Sequence, residues 1–360
     1  MRKLATVRRI DEILPIEGAD LIVLVKIDGW TCVAKSEEFK PGDPCVYFEI
    51  DSFLPDEPIY AHLRARTFRK MGEKEGLRIK TIKLRGQLSQ GLALPCHLFF
   101  DRFVDSKYDE GQELCEFFYQ GADLTDFLCV EKFELPIPSQ LAGNVSGNFP
   151  AFIPKTDQER CQNLGIDIFV HNKDSKYEVT MKMDGTSFTA YRFNEVDGVC
   201  GRNWNLKLDD SNSTNSLVRM YIDSGLQNVL LKYGKNLAVQ GELMGPGIQQ
   251  NREKFVTHKL FIFDMYDIDK GEYLTPEDRR NTLAELHALG LKKEMVDHVP
   301  IIAYTANLFD TFGITTTDQL LKFAEGPSIV HAIREGLVFK RVDGKFSFKV
   351  ISNLYLLKED

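Results

Sequence analysis

The chain has no Cys-x-x-Cys pair. Its seven cysteines (Cys32, Cys45, Cys96, Cys115, Cys129, Cys161 and Cys200) are odd in number and widely dispersed. That pattern argues against a structural zinc site and against a disulfide framework. It reads instead as reduced, buried thiols in a cytosolic or nuclear protein. No apolar run approaches the length of a membrane span. The opening Met1-Arg2-Lys3-Leu4-Ala5-Thr6-Val7-Arg8-Arg9 has no long apolar stretch, so no secretory signal is expected. The expected location is intracellular, in cytoplasm or nucleus, with an organelle left open. Positive charge is not in excess: 45 Lys and Arg stand against 53 Asp and Glu, a net charge of −8. A protein that coats nucleic acid nonspecifically is thereby disfavoured. There is no internal repeat and no low-complexity tract.

What charge there is lies unevenly. From Arg64 to Arg85 nine basic residues (Arg64, Arg66, Arg69, Lys70, Lys74, Arg78, Lys80, Lys83, Arg85) face Glu73 and Glu75, a local net charge of +7. Such a concentration suits a polyanion, and equally a solvated hairpin.

At 360 residues and 43% hydrophobic content, two packed domains are expected. The first third reads as β. Ile22–Ile27 and Trp30–Ala34 flank an Asp28-Gly29 turn. Lys40-Pro41-Gly42-Asp43 is a further turn before Cys45–Ile50, and Leu77–Leu84 reads as one basic strand followed by Gly91–Leu94. Short strands with turn chemistry between them predict a small barrel. Asp101–Phe118 carries little signal. Residues 134–150, rich in Pro, Gly, Ser and Asn, predict a linker. The expected division is a β-barrel domain over 1–135, a linker over 136–150 and a second domain over 151–360. In the last, strands are predicted at Tyr177–Met183, Phe188–Phe193, Leu237–Leu243, Lys259–Tyr266, Gly336–Arg341 and Ser347–Ile351. A helix starts at the Thr275-Pro276-Glu277-Asp278 cap and stops at Gly290. A second runs from Thr317 to Glu325, and Asp210–Tyr233 is a helical stretch. The fold class is α+β.

Lys182 opens Lys182-Met183-Asp184-Gly185-Thr186 at the end of a predicted strand. A strand end fixes a lysine, and the glycine lets backbone approach a phosphate closely. By itself this string is weak. Five more segments follow in order: Cys200-Gly201-Arg202-Asn203, Val239-Gln240-Gly241-Glu242-Leu243, Leu260-Phe261-Ile262-Phe263-Asp264-Met265-Tyr266, Glu335-Gly336-Leu337-Val338 and Phe348-Lys349-Val350-Ile351-Ser352. Each alone reads as a turn acid, a surface charge or core packing; their joint order does not.

Together they resemble the ordered motifs I, Ia, III, IIIa, IV and V of the covalent nucleotidyltransferases, the ATP-dependent polynucleotide ligases and mRNA capping enzymes, over roughly 151–358. The resemblance implies an ATP-grasp-like domain of antiparallel sheets with flanking helices. It also implies a reaction in which the Lys182 amine attacks the α-phosphorus of ATP. Asp184, Glu242 and Glu335 would hold Mg²⁺ or Mn²⁺ directly or through water. Gly185, Arg202, Lys340 and Lys349 would bind the nucleotide, Lys349 by touching the α-phosphate. Phe261 or Phe263 would stack on adenine, with Phe261 preferred. Two positions depart from the pattern. Met181 stands where relatives carry Glu, and Ser347 where they carry the first lysine of motif V, a place Lys345 could fill.

Relatives with a barrel after motif V leave no counterpart in Val350–Asp360. The β-rich module instead precedes the core, as an OB-like domain. This order resembles the fifth family of ATP-dependent RNA ligases, as does the lead-in Phe152-Ile153-Pro154-Lys155-Thr156-Asp157-Gln158-Glu159-Arg160-Cys161-Gln162-Asn163. The resemblance implies that Arg160 binds the outgoing phosphates. It further implies sealing of 3′-OH/5′-phosphate nicks with RNA at the 3′-OH side. The expected partner is nicked duplex RNA or an RNA/DNA hybrid, gripped by a monomer through Arg78, Lys80, Lys83 and Arg85, with no membrane involved. A DNA nick ligase, a GTP-using capping enzyme and a non-catalytic RNA-binding relative are the alternatives.

Overall fold

The structure, a computed structural model, describes residues 3–105, 118–134 and 143–358. It divides into two compact units, Met1–Ile137 and Pro138–Glu359. Residues 135–142 of the expected linker and most of the low-signal stretch near 101–118 lie outside the described residues.

In the first unit Pro44–Phe48 is central, antiparallel to Ala5–Arg9 and to Leu92–Pro95. Alternation along a strand sends successive side chains to opposite faces. Val46 and Phe48 accordingly pack in one buried cluster with Leu54, Tyr60 and Leu77, while Cys45 and Tyr47 pack in another with Val25, Ile27 and Trp30. Burial on both faces explains why this strand reads as an unbroken apolar run rather than an alternating one. A meander of Glu12–Ile16, Ala19–Ile27 and Trp30–Lys35 carries the second cluster. Its turn is the predicted one, with positive φ at Asp28 (50°) and Gly29 (81°). The basic strand expected over Leu77–Leu84 is two strands. Lys74–Arg78 pairs with Ser52–Pro55, whereas Ile82–Leu84 turns back on Gln87–Ser89. Positive φ at Arg85 (47°) and Gly86 (78°) makes that reversal.

The second unit holds two sheets. One runs Val145–Asn148, Trp204–Leu206, Val196–Cys200, Thr186–Phe193, Leu237–Met244, Lys259–Asp267 and Glu272–Tyr273, with Val296–His298 parallel to the Lys259–Asp267 strand. Val145–Asn148, expected in the linker, is thus a sheet strand hydrogen-bonded to Trp204–Leu206. The other sheet runs Glu159–Arg160, Ser347–Ile351, Gly336–Arg341, Lys176–Lys182 and Ile301–Asn307. Helices Ser216–Asp223, Leu226–Tyr233 and Pro276–Ala288 bury Met220, Tyr221, Val229, Leu230, Leu283 and Leu286 against Phe188, Val239 and Ile262 of the first sheet. Thr317–Phe323 buries Leu320 and Leu321 against Val179, Phe339 and Val350 of the second.

The helix ends follow local chemistry. Thr275 Oγ1 accepts from the Asp278 amide at 3.1 Å, and Thr316 forms a capping box with Gln319. The expected helical stretch 210–233 is two helices because Gly225 adopts φ 82° between them. A buried ionic group ties helix Pro276–Ala288 to the sheets. Fully buried Glu178 accepts from Arg279 and Arg280, and Asp264 pairs with Lys340 at 2.5 Å. Each buried charge has an opposite partner, without which its desolvation would be costly.

Candidate active site

Lys182 ends the strand Lys176–Lys182, directly opposite Gly336. The chain then passes through Met183, Asp184 and Gly185 from one sheet to the other, where Thr186–Phe193 begins. That crossing leaves no room for a side chain at Gly185. A Cβ there would lie 2.4 Å from the Leu243 carbonyl oxygen. The Gly185 amide donates to Glu242 Oε1 at 3.1 Å. The pairing of Ser187 with Glu242 on the neighbouring strand brings this carboxylate to the crossing. Glu335, just before Gly336, places Oε1 2.6 Å from Lys182 Nζ.

The electrostatics follow from this packing. Burial alone would push the Lys182 ammonium down; Glu335, Glu242 and Asp184 together hold it above its ordinary value. Glu242 is pushed up to about 7, chiefly by burial, with Lys182 opposing and Glu335 and Asp184 adding to the rise. Lys349 falls to about 8 through burial and the nearby cations Lys182, Arg160 and Arg202. Lys340 also falls to about 8, again through burial, although Asp264 opposes the shift.

A cleft of about 260 Å³ opens here, lined by Lys182, Gly185, Arg202, Glu242, Phe263, Lys340 and Lys349 among others. Asp184 and Glu335 are within electrostatic range of Lys182 but do not line it. Arg160 pairs in register with Lys349 across parallel strands. Lys340 binds inward, to Asp264 and to the Phe263 carbonyl at 2.5 Å. It is therefore wall and scaffold rather than a free hand for a phosphate. Two rings line the cleft, Phe149 and Phe263; the preferred Phe261 does not. Phe261 is 4% exposed and packs on Phe255 in a cluster with Met181, Met183 and Met244. The strand register shifts between Gln240 and Gly241, leaving Phe263 as the extra residue. A bulge of this kind re-aims a side chain. Met181, at the departure from the motif, is buried and lines the cleft; Ser347 lines a smaller neighbouring hollow.

Sequence reasoning missed several residues. Asp157 pairs with Arg202 at 2.9 Å, and Lys155, Thr156 and Gln158 line the cleft with it; all four lie in the lead-in already quoted. Gln249 lines the cleft and donates to the Gly185 carbonyl at 3.0 Å. Arg252 Nε lies 3.8 Å from Asp184 Oδ2. These two sit in a loop with no regular period, and nothing in the string marks them.

Hard oxygens suit a divalent cation. Glu335 Oε2 is buried without a hydrogen-bond partner, which is the kind of acceptor a hydrated cation would satisfy. Among the described residues no three His, Cys, Asp or Glu side chains converge into a protein-only cage. The site therefore fits a cation that keeps several of its waters.

The basic stretch of the first unit looks different in space. Arg64 pairs with Asp56, Lys70 with Glu75, Lys74 with Glu131 and Arg78 with Asp51. Arg78 also lies over the Phe133 ring, 4.6 Å from its centroid, and Arg85 donates to the Gly18 carbonyl at 2.8 Å. Three acids from outside the stretch, Asp51, Asp56 and Glu131, offset part of the local +7. Lys80, Lys83 and Arg85 remain exposed. Among the described residues no helix is long and apolar enough to cross a membrane.

Comparison with known proteins sets a class around this geometry. Residues 4–96 match the family model of an OB-fold domain, and residues 175–351 that of RNA ligase. A Naegleria gruberi RNA ligase solved with PPi shares 44% identity, covering 100% of this chain and 99% of that one, with TM-score 0.79. A glutamate-to-alanine variant of a Naegleria gruberi RNA ligase, with AMP and Mn, shares 43% over 99% of both chains with TM-score 0.81. A lysine-to-alanine variant with ATP and Mn shares 44% over 99% of both chains with TM-score 0.80. No curated protein matches. The protein is an OB-fold domain joined to a ligase domain of mixed α+β structure. This chain belongs to the RNA ligase family.

Proposed function

We propose that this RNA ligase is ATP-dependent and works through a covalent lysine–AMP intermediate on Lys182. The single observation that carries this reading is that Lys182, which lines the cleft of about 260 Å³, is held by Glu335 at 2.6 Å. The relatives solved with ATP, AMP and Mn support the choice of nucleotide and metal.

In the first step the Lys182 amine attacks the α-phosphorus of ATP, forming a P–N bond while pyrophosphate leaves with the electron pair of the broken P–O bond. Three carboxylates hold the lysine as ammonium, so it needs their field offset before it can act. Asp184, Glu242 and Glu335 would hold Mg²⁺ or Mn²⁺, whose charge offsets them and lets burial release the Lys182 proton. Lys349, with Arg202 and Arg160 in its field, meets the negative charge of the phosphates. Phe263 stacks on the base. AMP then passes to a 5′-phosphate, freeing Lys182, and a 3′-OH attacks that phosphate with loss of AMP.

The substrate proposed is a nick in duplex RNA or an RNA/DNA hybrid with RNA at the 3′-OH side, bound by a monomer. The domains proposed are a barrel over 1–135 and a ligase domain that takes in the strand Val145–Asn148 ahead of 151–360. Lys80, Lys83 and Arg85 offer exposed cations for backbone phosphates; Arg78 serves first as the partner of Asp51. The test is incubation with ATP labelled at the α-phosphorus. A covalent adduct that Lys182→Ala abolishes is expected; an adduct persisting in that variant would place the nucleophile elsewhere.

A further inference from the structure

The loop after Glu242 reaches both halves of the site. Gln249 Nε2 donates to the Gly185 carbonyl at 3.0 Å, and Glu253 accepts from the Val330 amide at 2.7 Å on the approach to Glu335. Between them Arg252, only 13% exposed, holds its charged edge 3.8 Å from Asp184. Its guanidinium carbon lies over Tyr355, 4.7 Å from the ring centroid. Tyr355 is 4% exposed and belongs to the helix Asn353–Lys358, which directly follows the strand carrying Lys349.

Asp184 stands among like charges. Glu242 and Glu335 share its field around Lys182, and a short carboxylate so placed is repelled unless a cation draws it to one position. Lys182 is a cation shared by all three acids; Arg252 is a second one, 3.8 Å from Asp184. A planar guanidinium can face a carboxylate with its edge while stacking on a ring with its face, which an ammonium cannot reproduce. We propose that Arg252 is the positioning residue for Asp184 and that Tyr355 positions Arg252, so the helix Asn353–Lys358 sets how strongly the site takes up its divalent cation with ATP. This deepens the reading of Lys182 as the adenylylated nucleophile and rests on it.

The experiment uses the full chain. In a Lys182→Ala background, where no turnover intervenes, calorimetry measures ATP binding across a Mn²⁺ series. Tyr355→Leu and Arg252→Gln are expected to raise the half-saturating Mn²⁺ concentration by about 10-fold or more, the usual cost of removing an outer-shell partner. Tyr355→Phe keeps the ring face and should bind like its parent. Equal Mn²⁺ demand in Tyr355→Leu and Tyr355→Phe overturns the proposal, as does Arg252→Gln binding like its parent; Arg252→Gln decides the matter if Tyr355→Leu fails to fold. In chains retaining Lys182, absence of any AMP adduct would sink the lysine–AMP reading itself. A normal adduct at limiting Mn²⁺ in Tyr355→Leu would sink this inference alone.

Discussion

Glu335 Oε1 lies 2.6 Å from Lys182 Nζ, an ion pair built by two neighbouring strands in register. Removing the acid removes both the lysine's partner and an acceptor with one oxygen unmatched. Glu335→Ala should slow adduct formation by about 10- to 100-fold at fixed metal. Label incorporation at saturating ATP measures it, and an unchanged rate would take Glu335 out of the site.

Glu242 gives a stability test with a definite sign. Its folded-state pKa is raised from 4.5 to about 7, so between those values the folded chain binds more protons than the unfolded one. Stability contributed by this group therefore falls as pH rises through that window, and the cost is complete above pH 7. Glu242→Gln keeps an acceptor for the Gly185 amide and removes the buried charge. The variant should exceed the parent by roughly 1–3 kcal/mol above pH 7, an advantage that fades toward pH 4.5. Urea unfolding at pH 5, 6 and 8 reads the trend; a gap growing toward acid would contradict it.

Phe263 and Phe261 should fail in different ways. Phe263→Ala removes one of the two rings that line the cleft and should weaken ATP binding by about 1–3 kcal/mol, the usual worth of a base stack, with little change in melting. Phe261→Ala empties a core site and should cost about 3–5 kcal/mol of stability. Paired calorimetry and thermal unfolding distinguish them, and a reversed pattern would restore Phe261 as the stacking ring.

Gly185→Ala would drive a Cβ to 2.4 Å from the Leu243 carbonyl. The chain crossing must shift, at a cost of about 1–3 kcal/mol, and the Glu242 contact shifts with it. Loss of adduct together with a lowered unfolding midpoint is expected. Activity and stability both equal to the parent would show that the crossing has slack.

In the first unit Lys80→Ala should lower the slope of log affinity against log salt for a nicked RNA duplex by about 1. Arg78→Ala breaks the Asp51 pair and the Phe133 stack, and should chiefly lower stability. A salt slope moved by Arg78→Ala and untouched by Lys80→Ala would reverse the assignment.

Much of this was legible in the chain. Lys182, Gly185, Arg202, Glu242 and Lys349 do line one cleft, because each stands on or beside a strand whose period and order the sequence displays. The Thr275 cap and the Asp28-Gly29 turn were readable for a similar reason: their chemistry is local. What was hidden depends on pairing at long range. Nothing in Leu260–Tyr266 reveals the register shift that leaves Phe263 unpaired, or that Phe263 is half-buried at the cleft while Phe261 is buried. The run of cations from Arg64 to Arg85 cannot display Asp51, Asp56 and Glu131, which fold against it. Val145–Asn148 looks like linker by composition, and becomes a strand only because Trp204–Leu206 offers an edge.

The strand bearing Lys182 is flanked by Gly336–Arg341 and Ile301–Asn307, both of which leave the ribosome long after it. A half-made chain thus holds Lys182 with neither neighbouring strand in place. On the proposed lysine–AMP reading, the chain can take up AMP only after both later strands have folded against the one that bears Lys182.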